Sequence, residues 1–184
     1  MDAADRAQML QLLAESRDNL VGAAAGVSDD QARIRPAPDR WSVLDCAEHV
    51  AIVENFLLKV LTTKLSPCAP SEDRSREAFF LHSMENRTQK VMAPDMSHPS
   101  GRFATLAEAL DYFRQSRART VAFVEQCNLD LRALFALHPL FGPTTGQEFL
   151  IILALHPARH AEQIREIREA LDQPTISSPK PPLK

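Results

Sequence analysis

The sequence has few glycines, few alternating β-branched runs and no long apolar stretch. Only five of its 184 residues are glycine, and no apolar run approaches the roughly 20 residues that a membrane span needs. The first twenty residues carry acids where a secretory signal carries bases. We therefore expect a cytoplasmic protein without a leader or a membrane span.

The chain also lacks an excess of positive charge and a usable pattern of cysteines. Lys and Arg number 21 against 24 Asp and Glu, for a net charge of -3. This balance gives no basic field for nucleic acid and no polybasic anchor for lipid. Cys46, Cys68 and Cys127 are odd in number and far apart, which argues against a disulfide framework or a cysteine zinc site.

Apolar residues return every three or four positions along most of the chain, which indicates helices. Ser42 with Asp45 and Thr145 with Glu148 have the spacing of helix-capping boxes. Long helices are predicted over residues 2–26, 42–65, 105–128 and 145–172, and a shorter one over 76–92. The fold expected from these lengths is an all-α four-helix bundle with a long crossover connection and one extra short helix. We expect one domain over residues 1–172 and a disordered tail over 173–184.

Three histidines fall on the apolar faces of two predicted helices. His156 and His160 are four residues apart, which places their side chains one above the other on a helix, and His49 lies on the inward stripe of the second helix. A buried imidazole without a partner is costly, and one divalent metal ion would satisfy all three. The alternative is that each histidine finds its own carboxylate or water.

The segments around these histidines resemble the DinB and YfiT group of metal-dependent enzymes. The resemblance is carried by WSVLDCAEHVAIVE (41–54), GRFATLAEALDYFRQSRARTVAFVE (101–125) and HPLFGPTTGQEFLIILALHPARHAEQI (138–164). It implies a four-helix bundle in which His49, His156 and His160 bind one ion such as nickel, zinc or manganese. It also implies a homodimer.

Three neutral imidazoles leave a fourth metal position open, as in catalytic sites. A bound water there can reach a pKa of about 7, and a bound thiol is held as the thiolate. The resemblance favours a low-molecular-weight thiol as co-substrate and an S-transferase that acts on small electrophiles. The alternatives are a metal-dependent hydrolase and a non-catalytic metal- or ligand-binding bundle related to stress.

Other polar residues lie close to this candidate site in the predicted helices. Arg117 falls on an apolar face, where it either anchors a substrate carboxylate or pairs with an acid such as Asp45. Asp45 is also a candidate acceptor for a ligand imidazole, and Gln163 is a weaker pocket candidate. Pro157 should kink or loosen its helix, because it cannot donate to the carbonyl of Leu153.

Trp41 and the three other histidines are predicted to lie outside the metal site. Trp41 is predicted to pack against the start of the second helix rather than to stack on a ligand. His138 is predicted to fix a loop, and His82 and His98 fall outside the converging stripes.

Overall fold

Four long α-helices carry most of the fold in a computed structural model that describes residues 1–70, 72–84, 86–88 and 93–172. The all-α four-helix bundle predicted from the sequence is therefore confirmed. The predicted tail, residues 173–184, lies outside the described residues. The helices are α1 (Ala3–Ala24), α2 (Asp29–Arg33), α3 (Val43–Thr63), α4 (Ser75–Ser83), α5 (Leu106–Gln126) and α6 (Gly146–Asp172).

Capping residues set the starts of the long helices. Ser42 accepts from the backbone N–H of Asp45, and the Asp45 carboxylate accepts from the N–H of Ser42 at 2.9 Å. Thr145 and Glu148 make the same exchange at the start of α6. Both capping boxes were predicted from their spacing, and each satisfies backbone donors that a helix start leaves free.

The extra short helix and the connections differ from the prediction. Helix α4 ends at Ser83, although the apolar spacing predicted a helix as far as residue 92. A short antiparallel sheet, in the order β1 (Ser66–Pro67), β2 (Leu134–His138) and β3 (Gly142–Thr145), was not predicted. Gly142 begins β3 with a φ of +67°, a conformation that glycine adopts without steric cost. None of the described helices is long and apolar enough to cross a membrane.

The long helices pack so that α1 and α3 each contact both α5 and α6. Two apolar clusters fill the interior, one around Leu57 and Phe149 and the other around Val50 and Phe113. Buried polar side chains lie between these clusters along α3, α5 and α6, and the candidate site is formed there.

Candidate metal centre

The three predicted ligands meet inside the bundle. His49 comes from α3, and His156 and His160 lie one turn apart on α6. The Nε2 atom of His156 is 3.1 Å from the Nε2 atoms of both His49 and His160. His49 is 4% exposed and His160 7% exposed. The structure therefore brings the three imidazoles to one point, as the sequence spacing predicted.

Two of the three rings are held in a defined tautomer. His49 Nδ1 lies 2.7 Å from the carbonyl oxygen of Ser97, which can only accept, so Nδ1 carries the proton. His160 Nδ1 lies 3.0 Å from Gln163 Oε1. Arg87 donates to the same Oε1 at 3.2 Å, which identifies that atom as the amide oxygen. Both rings therefore direct an Nε2 lone pair at His156 when they are neutral.

This arrangement leaves too few protons for hydrogen bonds between all three Nε2 atoms. His156 Nε2 carries at most one proton, so it cannot make a full hydrogen bond to both neighbouring lone pairs. Two nitrogens bound tetrahedrally at 2.0–2.1 Å from zinc are about 3.4 Å apart, close to the observed spacing. The three candidate ligand atoms all lie within 4.8 Å of one another. A divalent cation therefore fits the donor set, and the contacts at Nδ1 resemble those that orient metal-bound histidines.

The surroundings favour the neutral form of each imidazole. Burial lowers the pKa of His49 to about 4, even though the hydrogen bond to Ser97 raises it. The pKa values of His156 and His160 lie well below the ordinary value, first because of burial and then because of repulsion between the neighbouring rings. Neutral imidazoles are the form that binds a metal.

The backbone segment that holds His49 is itself fixed by a buried carboxylate. Glu48 is 1% exposed and accepts from the backbone N–H groups of Ser100 at 2.7 Å and of Gly101 and Arg102 at 3.1 Å. Adjacent residues of α3 thus bind the same loop, since His49 contacts its Ser97 carbonyl. Nothing in the sequence pattern distinguished Glu48 from a solvent-exposed acid.

Trp41 and His98, which the sequence interpretation set aside, lie beside the histidines. The Trp41 ring is 4.8 Å from the His49 ring and 6.0 Å from the His160 ring, to which it is nearly parallel. His98 meets Trp41 edge-on at 6.1 Å. The prediction that Trp41 serves only to pack the helix start was therefore incomplete, because the indole also forms a wall of the centre.

Arg117 forms a buried ion pair, which the sequence interpretation left open as the alternative to a substrate anchor. It is 1% exposed and forms an ion pair with Glu54, through Nε at 2.9 Å and Nη2 at 2.8 Å. Its remaining N–H groups reach the carbonyls of Leu13 and Leu153 and the hydroxyl of Ser16. All five donors are thus engaged within the protein, and the partner is Glu54 rather than Asp45.

The contact with Leu153 explains how α6 tolerates its proline. Pro157 has no N–H for the carbonyl of Leu153, and Arg117 Nη2 supplies a donor to that carbonyl at 3.3 Å. Helix α6 continues through Pro157 to Asp172. The arginine therefore supports the turn of α6 that carries His156.

Asp45 is also placed differently from one of its predicted roles. Its carboxylate caps α3 and accepts from Arg35 Nε at 2.9 Å and Nη2 at 3.2 Å. The acceptor for the His49 imidazole is the Ser97 carbonyl. Of the two roles that the sequence left open for Asp45, the structure supports capping.

Comparisons with known proteins place this geometry in context. A family model of the DinB superfamily matches residues 12–164. The uncharacterized protein YuaE of Bacillus subtilis (strain 168) is 22% identical over 151 residues, which cover 80% of this chain and 90% of YuaE. The solved structure of YfiT from Bacillus subtilis has a TM-score of 0.60 at 17% identity, over 93% of this chain and 90% of YfiT. YfiT is described as a probable metal-dependent hydrolase with an unusual four-helix bundle topology.

Proposed function

Since the chain belongs to the DinB superfamily, we propose that it is a divalent-metal-dependent enzyme whose ion is held by His49, His156 and His160. The observation that carries this proposal is the convergence of three Nε2 atoms, two of them on rings whose Nδ1 protons are already engaged. Nickel, zinc and manganese are the candidate ions. Three protein ligands leave a coordination position for a small molecule.

The proposed reaction is S-transfer from a low-molecular-weight thiol to a small electrophile. A divalent ion would lower the pKa of a coordinated thiol and supply a thiolate nucleophile. The sulfur loses its proton to solvent and forms a bond to the electrophilic carbon, and the leaving group departs with the electrons of the broken bond.

The two buried glutamates of the helix that carries His49 favour a thiol over water. Glu48 is engaged with three backbone N–H groups, and Glu54 with Arg117 and Thr120. Neither carboxylate is available as a general base to take a proton from attacking water. A thiol, which is more acidic than water, has less need of such a base.

Hydrolysis of a small substrate is the second candidate. The description of YfiT as a probable metal-dependent hydrolase favours it. The two candidates differ in their co-substrate, because only S-transfer requires a thiol. Turnover of an electrophile by the metal-loaded protein that depends on added thiol supports the transferase, and turnover without thiol supports the hydrolase.

Metal content tests the centre itself. We expect elemental analysis of protein purified without a polyhistidine tag to give about one ion per chain. The double variant His156→Ala/His160→Ala should lose it, whereas His82→Ala, in an exposed histidine of α4, should keep it. A wild-type protein that takes up no metal on reconstitution near neutral pH would contradict the proposal.

The expectations of a homodimer and of a cytoplasmic location stay predictions. Light scattering on the purified protein would test the first, because the mass of the particle distinguishes one chain from two.

A further inference from the structure

A polar cleft of about 280 Å³ lies next to the histidine cluster. Trp41 is the wall that the two share, because its indole lines the cleft and also contacts the His49 and His160 rings. The other side chains that line it are those of Arg35, Asp39, Arg40 and His98, with two prolines. Its volume suits a small polar group rather than a macromolecule.

Most of the charges around this cleft are already neutralised. Arg35 is held by both oxygens of Asp45, at 2.9 and 3.2 Å. Arg87 occupies both oxygens of Glu166, at 2.9 and 3.0 Å. These pairs leave no net charge for a ligand to meet.

Arg40 and Asp39 are bound less completely. Arg40 makes only a loose ion pair with Glu166, because its Nη2 lies 3.9 Å from Oε2, beyond hydrogen-bond distance, and that oxygen is already bound by Arg87. Asp39 forms no ion pair with any residue that the structure describes. The cleft therefore offers one guanidinium and one carboxylate whose hydrogen-bonding capacity is open.

His98 adds a hydrogen-bonding group to the lining of the cleft. Its Nε2 lies 2.9 Å from the carbonyl of Ala93, so this nitrogen donates. Its ring meets Trp41 edge-on and continues the wall of the cleft.

A ligand with a single charge matches this surface poorly. A dianion would be attracted by Arg40 but repelled by Asp39, and a simple cation would experience the reverse. A group that carries both charges a few ångströms apart complements both residues.

We propose that the cleft binds the α-amino-acid end of a small substrate, with its carboxylate beside Arg40 and its ammonium group beside Asp39. The reactive end then lies past Trp41, at the histidines. This inference rests on the proposed function, because it assigns the cleft to the substrate of the metal centre.

Titration with four thiols, followed by tryptophan fluorescence, tests the proposal. Trp41 is the only tryptophan, so its fluorescence reports ligands that arrive at either side of the indole. The nickel-loaded protein is titrated with four thiols. Cysteine carries both an ammonium and a carboxylate group, 3-mercaptopropionate carries only the carboxylate, cysteamine carries only the ammonium, and 2-mercaptoethanol carries neither. Arg40→Gln and Asp39→Asn are compared with wild type and with Arg114→Gln, a matched control in an exposed ion pair on α5.

The expected result is a selective loss in each variant. Arg40→Gln should weaken cysteine and 3-mercaptopropionate about tenfold, the loss expected for one charge-assisted hydrogen bond, and leave the other two thiols unchanged. Asp39→Asn should weaken cysteine and cysteamine in the same way. Each thiol is compared only with itself across variants, so differences in thiol acidity cancel. Losses that are equal for all four thiols, or absent for all four, would overturn the proposal.

Metal analysis of the same samples separates failure of this inference from failure of the proposed function. If the protein holds no nickel, the titration is repeated on the metal-free protein with glycine, propionate and ethylamine. Binding of glycine that both variants weaken supports the cleft as an amino-acid site even then. Binding that neither variant changes, or no binding, overturns it.

Discussion

Two buried polar clusters lie between the apolar layers of this bundle, and they differ in how completely they are satisfied. In the cluster of Arg117 and Glu54, every N–H of the guanidinium has an acceptor inside the protein. In the histidine cluster, the Nε2 atoms of three neutral rings face one another. The hydrogen bonds of the first cluster are complete within the protein, whereas the second cluster needs a bound cation to satisfy its nitrogen lone pairs.

The contrast separates a structural role from a functional one. Arg117 joins α1, α3 and α6 to its own helix α5 through hydrogen bonds. The rings of His49 and His160 are held at Nδ1 by Ser97 and Gln163, which leaves their Nε2 atoms open to an ion. Removing a partner should therefore reduce stability in the first cluster and ion binding in the second.

The largest expected effect is that of Arg117→Ala on stability. The substitution leaves the Glu54 carboxylate buried without its partner, which costs about 3–5 kcal/mol of the free energy of unfolding. Urea denaturation of the metal-free protein measures it. Arg119→Ala is the matched control, because this exposed arginine of α5 contacts Asn55 and Ser116, and a change within about 1 kcal/mol is expected. Equal losses in the two variants would show that the buried cluster contributes no more to the free energy of unfolding than an exposed arginine does.

The next effect is the stabilisation that metal gives to the histidine cluster. At a free metal concentration 100-fold above the dissociation constant, wild type should gain about 2.7 kcal/mol, because metal binds the folded state alone. The variant His156→Ala/His160→Ala should gain nothing and, without metal, should be no less stable than wild type. Thermal melts with and without a chelator test both statements. A metal-free double variant that melts far below wild type would instead indicate that the histidines stabilise the fold themselves.

The third prediction is that the loop bound by Glu48 helps to hold the histidine cluster in place. Glu48→Gln puts one amide nitrogen against backbone donors, so the loop should loosen and the Ser97 carbonyl should leave His49. We expect metal affinity to fall about 10- to 100-fold, as for other residues that orient a ligand. Nitrogen-15 NMR of the metal-free protein should show His49 losing its fixed Nδ1–H tautomer.

Glu108→Gln is the control for this prediction. Glu108 also accepts from backbone N–H groups, those of Ala104 and Thr105, but it caps α5 and does not hold the segment at Ser97. Its substitution should leave metal affinity and the His49 tautomer unchanged. An equal fall in both variants would assign the effect of Glu48 to general destabilisation.

Periodic and local signals account for what the sequence predicted well. The apolar stripes gave the four long helices, and the same stripes put His49, His156 and His160 on inward faces. The capping boxes at Ser42 and Thr145 needed only a spacing of three residues. That the three histidines bind a metal stays a prediction.

Contacts between distant segments could not be predicted in this way. Glu54, the partner of Arg117, lies 63 residues away, and a helical stripe does not say which acid will face a given arginine. The loop that carries Ser97 and His98 has no periodicity to place it, yet it holds His49 and approaches Trp41. The sheet was missed because its strands, of two to five residues, are too short to give a clear alternating pattern.

The smallest predicted effect on stability comes from an ion-pair network nearer the surface. Like the Arg117 cluster, it pairs an arginine with carboxylates, but it is more exposed to solvent. Arg132 donates to Asp5, and to Glu77 at 2.8 Å. The hydrogen bond from Arg132 lowers the pKa of Asp5 below its ordinary value of 3.8, even though burial raises it. An acid whose pKa is lower in the folded state adds stability above its unfolded pKa and loses it as the pH falls through the folded value.

Asp5→Asn should therefore lower the free energy of unfolding by about 0.5–1 kcal/mol at neutral pH, since solvent screens a pair of this kind. The difference from wild type should shrink as the pH falls below about 4, where the unfolded carboxylate begins to bind a proton. Urea denaturation of both proteins across this range measures it. A difference that stays constant down to the lowest pH at which both proteins fold would mean that Asp5 acts through the shape of its side chain rather than through its charge. A neutral-pH loss as large as that of Arg117→Ala would remove the distinction between the buried cluster and its solvent-screened counterpart.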